Sequence, residues 1–228
     1  MELISRVVRS KEEAKTSYDK LSRWYDLLVG RSEKKFRDKG LDLLDVQEGE
    51  TVLEIGFGTG HCTLALAQSV GSTGKVYGID ISEGMLDITA SRIEDAGLSG
   101  RVELQLGDAV NLPFPDDFFD AVFMSFTLEL FDTPEIPIVL QQCQRVLKNG
   151  GRICVVSMSK EGKSGLMLRL YEWGHKKLPN YIDCRPIFVK RFLENADFHI
   201  RKTCTIRLWG LPVEIALADK PHLSEIIQ

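Results

Sequence analysis

Apolar and polar positions along this chain change period several times. Between Glu12 and Leu28, the residues Ala14, Tyr18, Leu21, Trp24, Tyr25 and Leu28 fall three or four apart, which predicts an amphipathic helix with an aromatic face. Lys34 to Leu44 repeats the spacing through Phe36, Leu41 and Leu44 and predicts a second helix. The period then shortens. Thr51-Val52-Leu53-Glu54-Ile55 alternates and branches like a buried parallel strand, and the helix-compatible run from Cys62 to Ala67 follows it. Further strands are predicted at 74–80, 102–106, 121–126 and 152–157, with helices at 83–96 and 135–147 between them. Ser82 stands ready to cap the first of these helices, Gly97 to stop it, and Pro137 is tolerated in the first turn of the second. Such alternation predicts a doubly wound α/β sheet.

The last part of the chain departs from that rhythm. A helix is expected from Pro186 to Glu194, then two strands, 200–208 and 213–218, joined by Gly210-Leu211-Pro212. A pair so close is a hairpin, and it places an antiparallel strand in a mostly parallel, seven-stranded sheet. Met158 to Cys184 interrupts the alternation as well. Lys163 to Leu178 carries Leu166, Leu170, Tyr171, Trp173 and Leu178 on one side and basic residues on the other. An inserted helix, a lid for an apolar acceptor and a surface for peripheral membrane contact all remain open for it. The expected organisation is a single domain, 1–228, with an N-terminal helical cap at 1–48 and an inserted cap at 158–184.

Composition narrows the function. At 228 residues, 43% hydrophobic and 27% charged, the chain buries one substantial core. Net charge is −4 and no Lys/Arg block exceeds three residues, so a nucleic-acid partner is not expected. No stretch approaches the roughly 18 apolar residues of a spanning helix, and the first twenty residues lack the apolar segment of a secretory signal. A cytoplasmic protein is expected, with its oligomeric state open. Cys62, Cys143, Cys154, Cys184 and Cys204 form no Cys-x-x-Cys pair and fit buried thiols, with no metal site expected.

The candidate chemistry begins where the first strand runs into Gly56-Phe57-Gly58-Thr59-Gly60. Three glycines in five residues let backbone approach a ligand closely, and the following helix start offers free N–H groups. The dinucleotide fingerprint would put its third Gly where His61 stands. Glu54 would repel a pyrophosphate and attract an ammonium. Asp80, at the end of the second strand, is placed to accept ribose hydroxyls, and Asp108, after the third, to accept from an exocyclic amine.

These features resemble the class I S-adenosylmethionine-dependent methyltransferases. The match includes Val52 to Gly60, Leu112-Pro113-Phe114-Pro115-Asp116-Asp117-Phe118-Phe119-Asp120, and Arg145-Val146-Leu147-Lys148-Asn149-Gly150-Gly151, in order. Within that superfamily the chain most resembles the ubiquinone/menaquinone biosynthesis methyltransferases, which carry a Tyr-Asp such as Tyr25-Asp26 ahead of the first motif. Phe126-Thr127-Leu128-Glu129-Leu130 stands where that family has Phe-Gly-Leu-Arg-Asn, and His61 where it has Asp.

The resemblance implies that Gly56, Gly58, Thr59 and Gly60 hold the methionine part of S-adenosylmethionine, with Glu54 supporting the loop and the amino group. Asp80 would bind the ribose, Ile81 and Met85 would sandwich the adenine, Asp108 and Ala109 would read its edge, and Ser125 and Tyr25 would complete the methionyl end. The acceptor would be a small apolar or aromatic molecule, quinone-precursor-like, touching Tyr18, Trp24, Phe126, Glu129 and Trp173. Methylation at carbon leads, with oxygen, nitrogen and sulfur open. Acid/base candidates are His61, Glu129, Tyr171 and His175. A non-catalytic S-adenosylmethionine-binding regulator and a nicotinamide-dependent oxidoreductase stay open beside the methyltransferase.

Overall fold

The computed structural model describes residues 31–161, 185–208 and 210–221, together with Ile4, Arg6, Val7, Glu12, Glu13, Lys15, Thr16 and Asp19. Of the first predicted helix, Glu12, Glu13, Lys15, Thr16 and Asp19 are seen to be helical. Tyr18, Trp24, Tyr25, Tyr171, Trp173, His175, Cys184 and the predicted helix at 163–178 lie outside the described residues.

The order is α1 (Arg31–Leu44), β1 (Thr51–Ile55), α2 (His61–Ser69), β2 (Lys75–Asp80), α3 (Glu83–Asp95), β3 (Val102–Leu106), β4 (Phe119–Ser125), α4 (Glu135–Val146), β5 (Leu147–Met158), α5 (Val189–Asn195), β6 (His199–Leu208) and β7 (Leu211–Asp219). One seven-stranded sheet results, in the order β3-β2-β1-β4-β5-β7-β6. The pairs from β3 through β5 are parallel, and β7 runs antiparallel to both β5 and β6. The hairpin thus puts its second strand inside the sheet and its first at the edge.

Helices cover both sides of the sheet, which is why its central strands read as continuous apolar runs. Leu53, Ile55, Val122, Met124, Ile153 and Val155 face α4 and α5, through Ile136, Leu140, Val189 and Leu193. Their alternate neighbours Val52, Ala121, Phe123, Cys154 and Val156 face α1 and α2, through Phe36, Leu44, Leu66 and Ala67. So the body of α1 covers a sheet face.

Several boundaries differ from the sequence reading, β7 among them, which starts at Leu211 inside the expected Gly210-Leu211-Pro212 connection. β5 starts at Leu147, directly after α4, because Leu147 pairs with Phe119. The register shifts between Phe119 and Ala121, and Gly150, at φ 74°, lies in the stretch of β5 that the shift skips. β4 correspondingly starts at Phe119. α5 starts at Val189 and not at Pro186, since Ile187 is held in a bridge to Ser159 and its N–H donates to the Met158 carbonyl at 3.0 Å. Cys62, Cys143 and Cys154 are buried free thiols, and Cys204 is half-buried on the edge strand.

Candidate functional site

β1 to β4 end along one edge of the sheet, and the residues predicted for the cofactor lie there. The Gly56 N–H donates to Ile79 O at 2.8 Å and the Gly107 N–H to Asp80 O at 2.9 Å, so the loops leave their strands at one level. Gly56, Gly58 and Gly60 take left-handed φ values of 73°, 51° and 80°. Their surroundings differ. A Cβ at Gly56 would lie 2.4 Å from Thr127 Oγ1 and one at Gly60 2.6 Å from Thr89 Cγ2, whereas a Cβ at Gly58 would meet nothing within 4 Å. Gly58 therefore faces an open cradle.

Of the acids near the strand ends, Asp80 binds the glycine loop directly. Asp80 Oδ2 accepts from the Gly58 N–H and Oδ1 from the Ser82 N–H, both at 3.0 Å, so the β2 carboxylate fixes the glycine loop to the start of α3. Burial raises the Asp80 pKa, and the backbone donors of Gly58 and Ser82 oppose the rise. Each oxygen keeps lone-pair capacity for a further donor. Glu54 is 2% exposed, and its Oε2 accepts from the Thr63 hydroxyl of α2 at 2.6 Å. Burial pushes the Glu54 carboxyl up to about 8, against the pull of the Thr63 bond and of Arg37 in α1. A cation brought beside it would favour its ionised form. Asp108 accepts from the Val110 N–H at 3.1 Å and caps the short turn at 109–111, so it does serve as a turn aspartate. Ala109 is buried in that turn, and Met85 is buried in the first turn of α3, beyond half-buried Ile81.

Among the described residues, the buried polar atoms without a hydrogen-bond partner include Gln105 Nε2 near the end of β3, Ser125 Oγ at the end of β4, and Glu129 Oε2 in the short turn that follows. All three stand toward the edge where the glycine loop opens. An open cradle, acids at successive strand ends and unsatisfied polar atoms fit a ligand carrying an ammonium, ribose hydroxyls and an amine-bearing base.

Other predicted residues separate. His61 is the exposed first residue of α2, directly after Gly60. Phe126 is only 6% exposed and its ring packs edge-on against Phe36 of α1, with centroids 6.2 Å apart, so it serves the core under α1. Glu129 is fully buried, with Oε1 accepting from the Met158 N–H of β5 at 3.1 Å.

Several site residues escape a reading of the sequence. Thr63 has a signal, one turn into the helix and nine residues past Glu54. Thr89, whose hydroxyl donates to Gly58 O at 2.7 Å, has none. Nor does Asp19, which accepts from Ser82 Oγ at 2.6 Å and the Gly84 N–H at 3.0 Å. At its other end the N-terminal segment is tied by Arg6, which donates to both Asp132 oxygens, and by the Val7 N–H at 3.1 Å to Asp132 Oδ1. Arg6 pulls the Asp132 carboxyl down to about 2. Ser82 follows β2 and Asp132 follows β4, so the two anchors stand on either side of β1 and its glycine loop. No helix among the described residues is long and apolar enough to cross a membrane.

Comparison with known proteins agrees with this geometry. The model of the ubiE/COQ5 methyltransferase family matches residues 5–182. A demethylmenaquinone methyltransferase of Bacillus pumilus is 32% identical over 214 residues, which span 92% of this chain and 87% of that protein. One from Bacillus subtilis is 35% identical over 147 residues, 63% of this chain, and the match spans 62% of that relative's length. Among solved structures, an S-adenosylmethionine-dependent methyltransferase from Aquifex aeolicus superposes with a TM-score of 0.62 at 23% identity, covering 92% of this chain and 99% of that one. That likeness establishes the fold.

Proposed function

The chain belongs to the ubiE/COQ5 methyltransferase family, and from that footing we propose that it moves the methyl group of S-adenosylmethionine to a ring carbon of a reduced quinone precursor. The observation that carries the reading is the cradle at Gly58, open where a Cβ would stand and held by Asp80, with Glu54 and Asp108 at the neighbouring strand ends. A pyrophosphate would meet those carboxylates unfavourably; a nucleoside bearing an amino acid suits them.

In this reading Gly56, Gly58, Thr59 and Gly60 receive the methionyl part, with Glu54 beneath the loop and Ser125 Oγ gaining the partner it lacks. Asp80 accepts the ribose hydroxyls while keeping its bonds to Gly58 and Ser82. Ile81 and Met85 flank the adenine, and Asp108, Ala109 and Gln105 border its edge. S-adenosylmethionine supplies an electrophilic methyl carbon on a sulfonium sulfur. The protein's part is to align that carbon with the acceptor and to exclude water. The anchors at Asp132 and Ser82 hold Arg6, Val7 and Asp19 on either side of the glycine loop, which supports a role for those residues beside the cofactor.

The nearer relatives carry the acceptor in their names, demethylmenaquinone, and a ring of that kind is the acceptor proposed here. A ligand that binds only the folded state raises the melting temperature by mass action. S-adenosylhomocysteine should therefore shift the thermal transition upward and NADH should not. Labelled S-adenosylmethionine should then transfer its methyl to a chemically reduced, short-chain demethylmenaquinone. A shift with NADH alone would move the assignment to the oxidoreductase, and binding without transfer to any reduced quinone would favour the regulator.

A further inference from the structure

Glu129 is a buried carboxylate that only half of its observed bonding accounts for. Its Oε1 accepts from the Met158 N–H at the end of β5, but its Oε2, equally buried, has no partner among the described residues. The nearby Ser157 hydroxyl, which also favours the charged carboxyl, lies 3.2 Å from the Met158 carbonyl as a donor and so is shared between the two. Satisfying one backbone N–H needs only a neutral amide oxygen, and a carboxylate with a dry, idle oxygen is a costly way to do it. Such an atom calls for a donor that arrives with a ligand.

Position says which ligand. The turn holding Glu129 begins at Thr127, whose side chain fills the space above Gly56, so the turn lies against the glycine loop. Charged groups from two other elements face the carboxyl: Glu33 from α1 and Arg185 from the segment before α5. Arg185 is fully buried and donates to Thr133 Oγ1 at 2.9 Å and to the Phe131 carbonyl. A positive and a negative neighbour leave little net field to hold a cation, which favours a neutral donor such as a hydroxyl.

We propose that Glu129 Oε2 takes the hydroxyl proton of the acceptor, a ring whose hydroxyl sits on the carbon next to the one methylated; this rests on the acceptor class proposed above. As the ring carbon forms its bond to the methyl carbon, the sulfur–methyl bond breaks with its electron pair going to sulfur. The hydroxyl proton passes to Glu129 and its oxygen becomes a carbonyl. The ring carbon then loses its hydrogen as a proton to water, aromaticity returns, and Glu129 gives its proton back to the oxygen. One proton is released in total. Burial, with Glu33 adding to it and the Glu129 and Met158 backbone N–H groups and the Ser157 hydroxyl opposing it, holds the carboxyl at about 7, where proton uptake from a phenolic hydroxyl is efficient.

The test uses the full chain with S-adenosylhomocysteine bound, titrated by fluorescence with 1-naphthol and with 1-methoxynaphthalene, the same ring lacking the donor. The wild type should prefer the naphthol by about tenfold or more, and the preference should shrink as pH falls through about 7. Glu129→Gln keeps an oxygen for Met158 and should bind both rings about equally. With a reduced short-chain demethylmenaquinone, wild-type kcat should rise with pH through the same range and level off. The variant should lose that rise and about 100-fold of kcat, its S-adenosylmethionine KM unchanged. Equal naphthol preference in the two proteins, or a wild-type ratio flat with pH, overturns the assignment. A preference lost in the variant while the wild type leaves the reduced quinone unmethylated upholds Glu129 and overturns the acceptor instead.

Discussion

Single residues in the glycine loop divide into two kinds that look the same in sequence. Gly56 is required by the fold, since a Cβ there meets Thr127, while a Cβ at Gly58 meets nothing, and the function proposed above gives that space to the cofactor. Gly56→Ala should therefore destabilise the protein by about 2–4 kcal/mol, combining a left-handed backbone with an overpacked contact. Gly58→Ala should cost about 1–2 kcal/mol of stability, the backbone contribution alone, yet abolish the melting-temperature increase given by S-adenosylhomocysteine. Denaturant titration and thermal shift on both variants check the division; a Gly58→Ala protein that still binds at wild-type affinity would place the cradle elsewhere. What was legible is the placement of the acids: Asp80 at the end of β2, Glu54 just before the end of β1 and Asp108 just beyond β3. Thr89, Asp19 and Gln105 were not, because their neighbours come from other parts of the chain and nothing local marks them. Phe126 misled for a related reason. An aromatic residue just past a strand end reads as a ligand wall, yet at φ 53° it is packed on Phe36 in the core.

At the level of elements, apolar periodicity located each described strand and helix, and the errors gathered where two elements abut without a loop. Lys148 to Gly151 has the composition of a turn, but pairing of Leu147 with Phe119 draws it into β5. Gly40 shows the converse. It weakens α1 as an isolated helix, yet a Cβ there would lie 2.5 Å from Val156 Cγ2, so it sets how closely α1 lies on β5. Arg152 then fastens the two. Its Nε donates to Leu44 O at 2.6 Å and its Nη2 to Asp45 O at 2.9 Å, occupying carbonyls at the end of α1. The same guanidinium grips both oxygens of Glu50 ahead of β1, at 2.8 and 2.7 Å. Arg152→Ala should destabilise by about 3 kcal/mol, since it strands a partly buried carboxylate and two carbonyls. Arg152→Lys should recover less than half, because an ammonium cannot reproduce the fork. Chemical denaturation would check both, and full recovery by lysine would reduce the contact to simple charge.

Over the whole molecule, the doubly wound architecture was legible because alternating elements admit few arrangements, and the C-terminal hairpin announced the antiparallel strand. The strand order itself was not legible, since it depends on which edge the hairpin joins. That order has a consequence for synthesis. β6 leaves the ribosome before β7, yet among the described residues β7 is its only partner in the sheet, and β5 keeps an open edge until β7 arrives. The nascent chain therefore carries two unpaired strand edges that only one later segment can join. A force-sensing arrest peptide placed downstream should record a late folding step only after Asp219 has left the exit tunnel; a step once β6 alone has emerged would contradict this. Until then β6 waits as a strand without a sheet, and the interval belongs to chaperones.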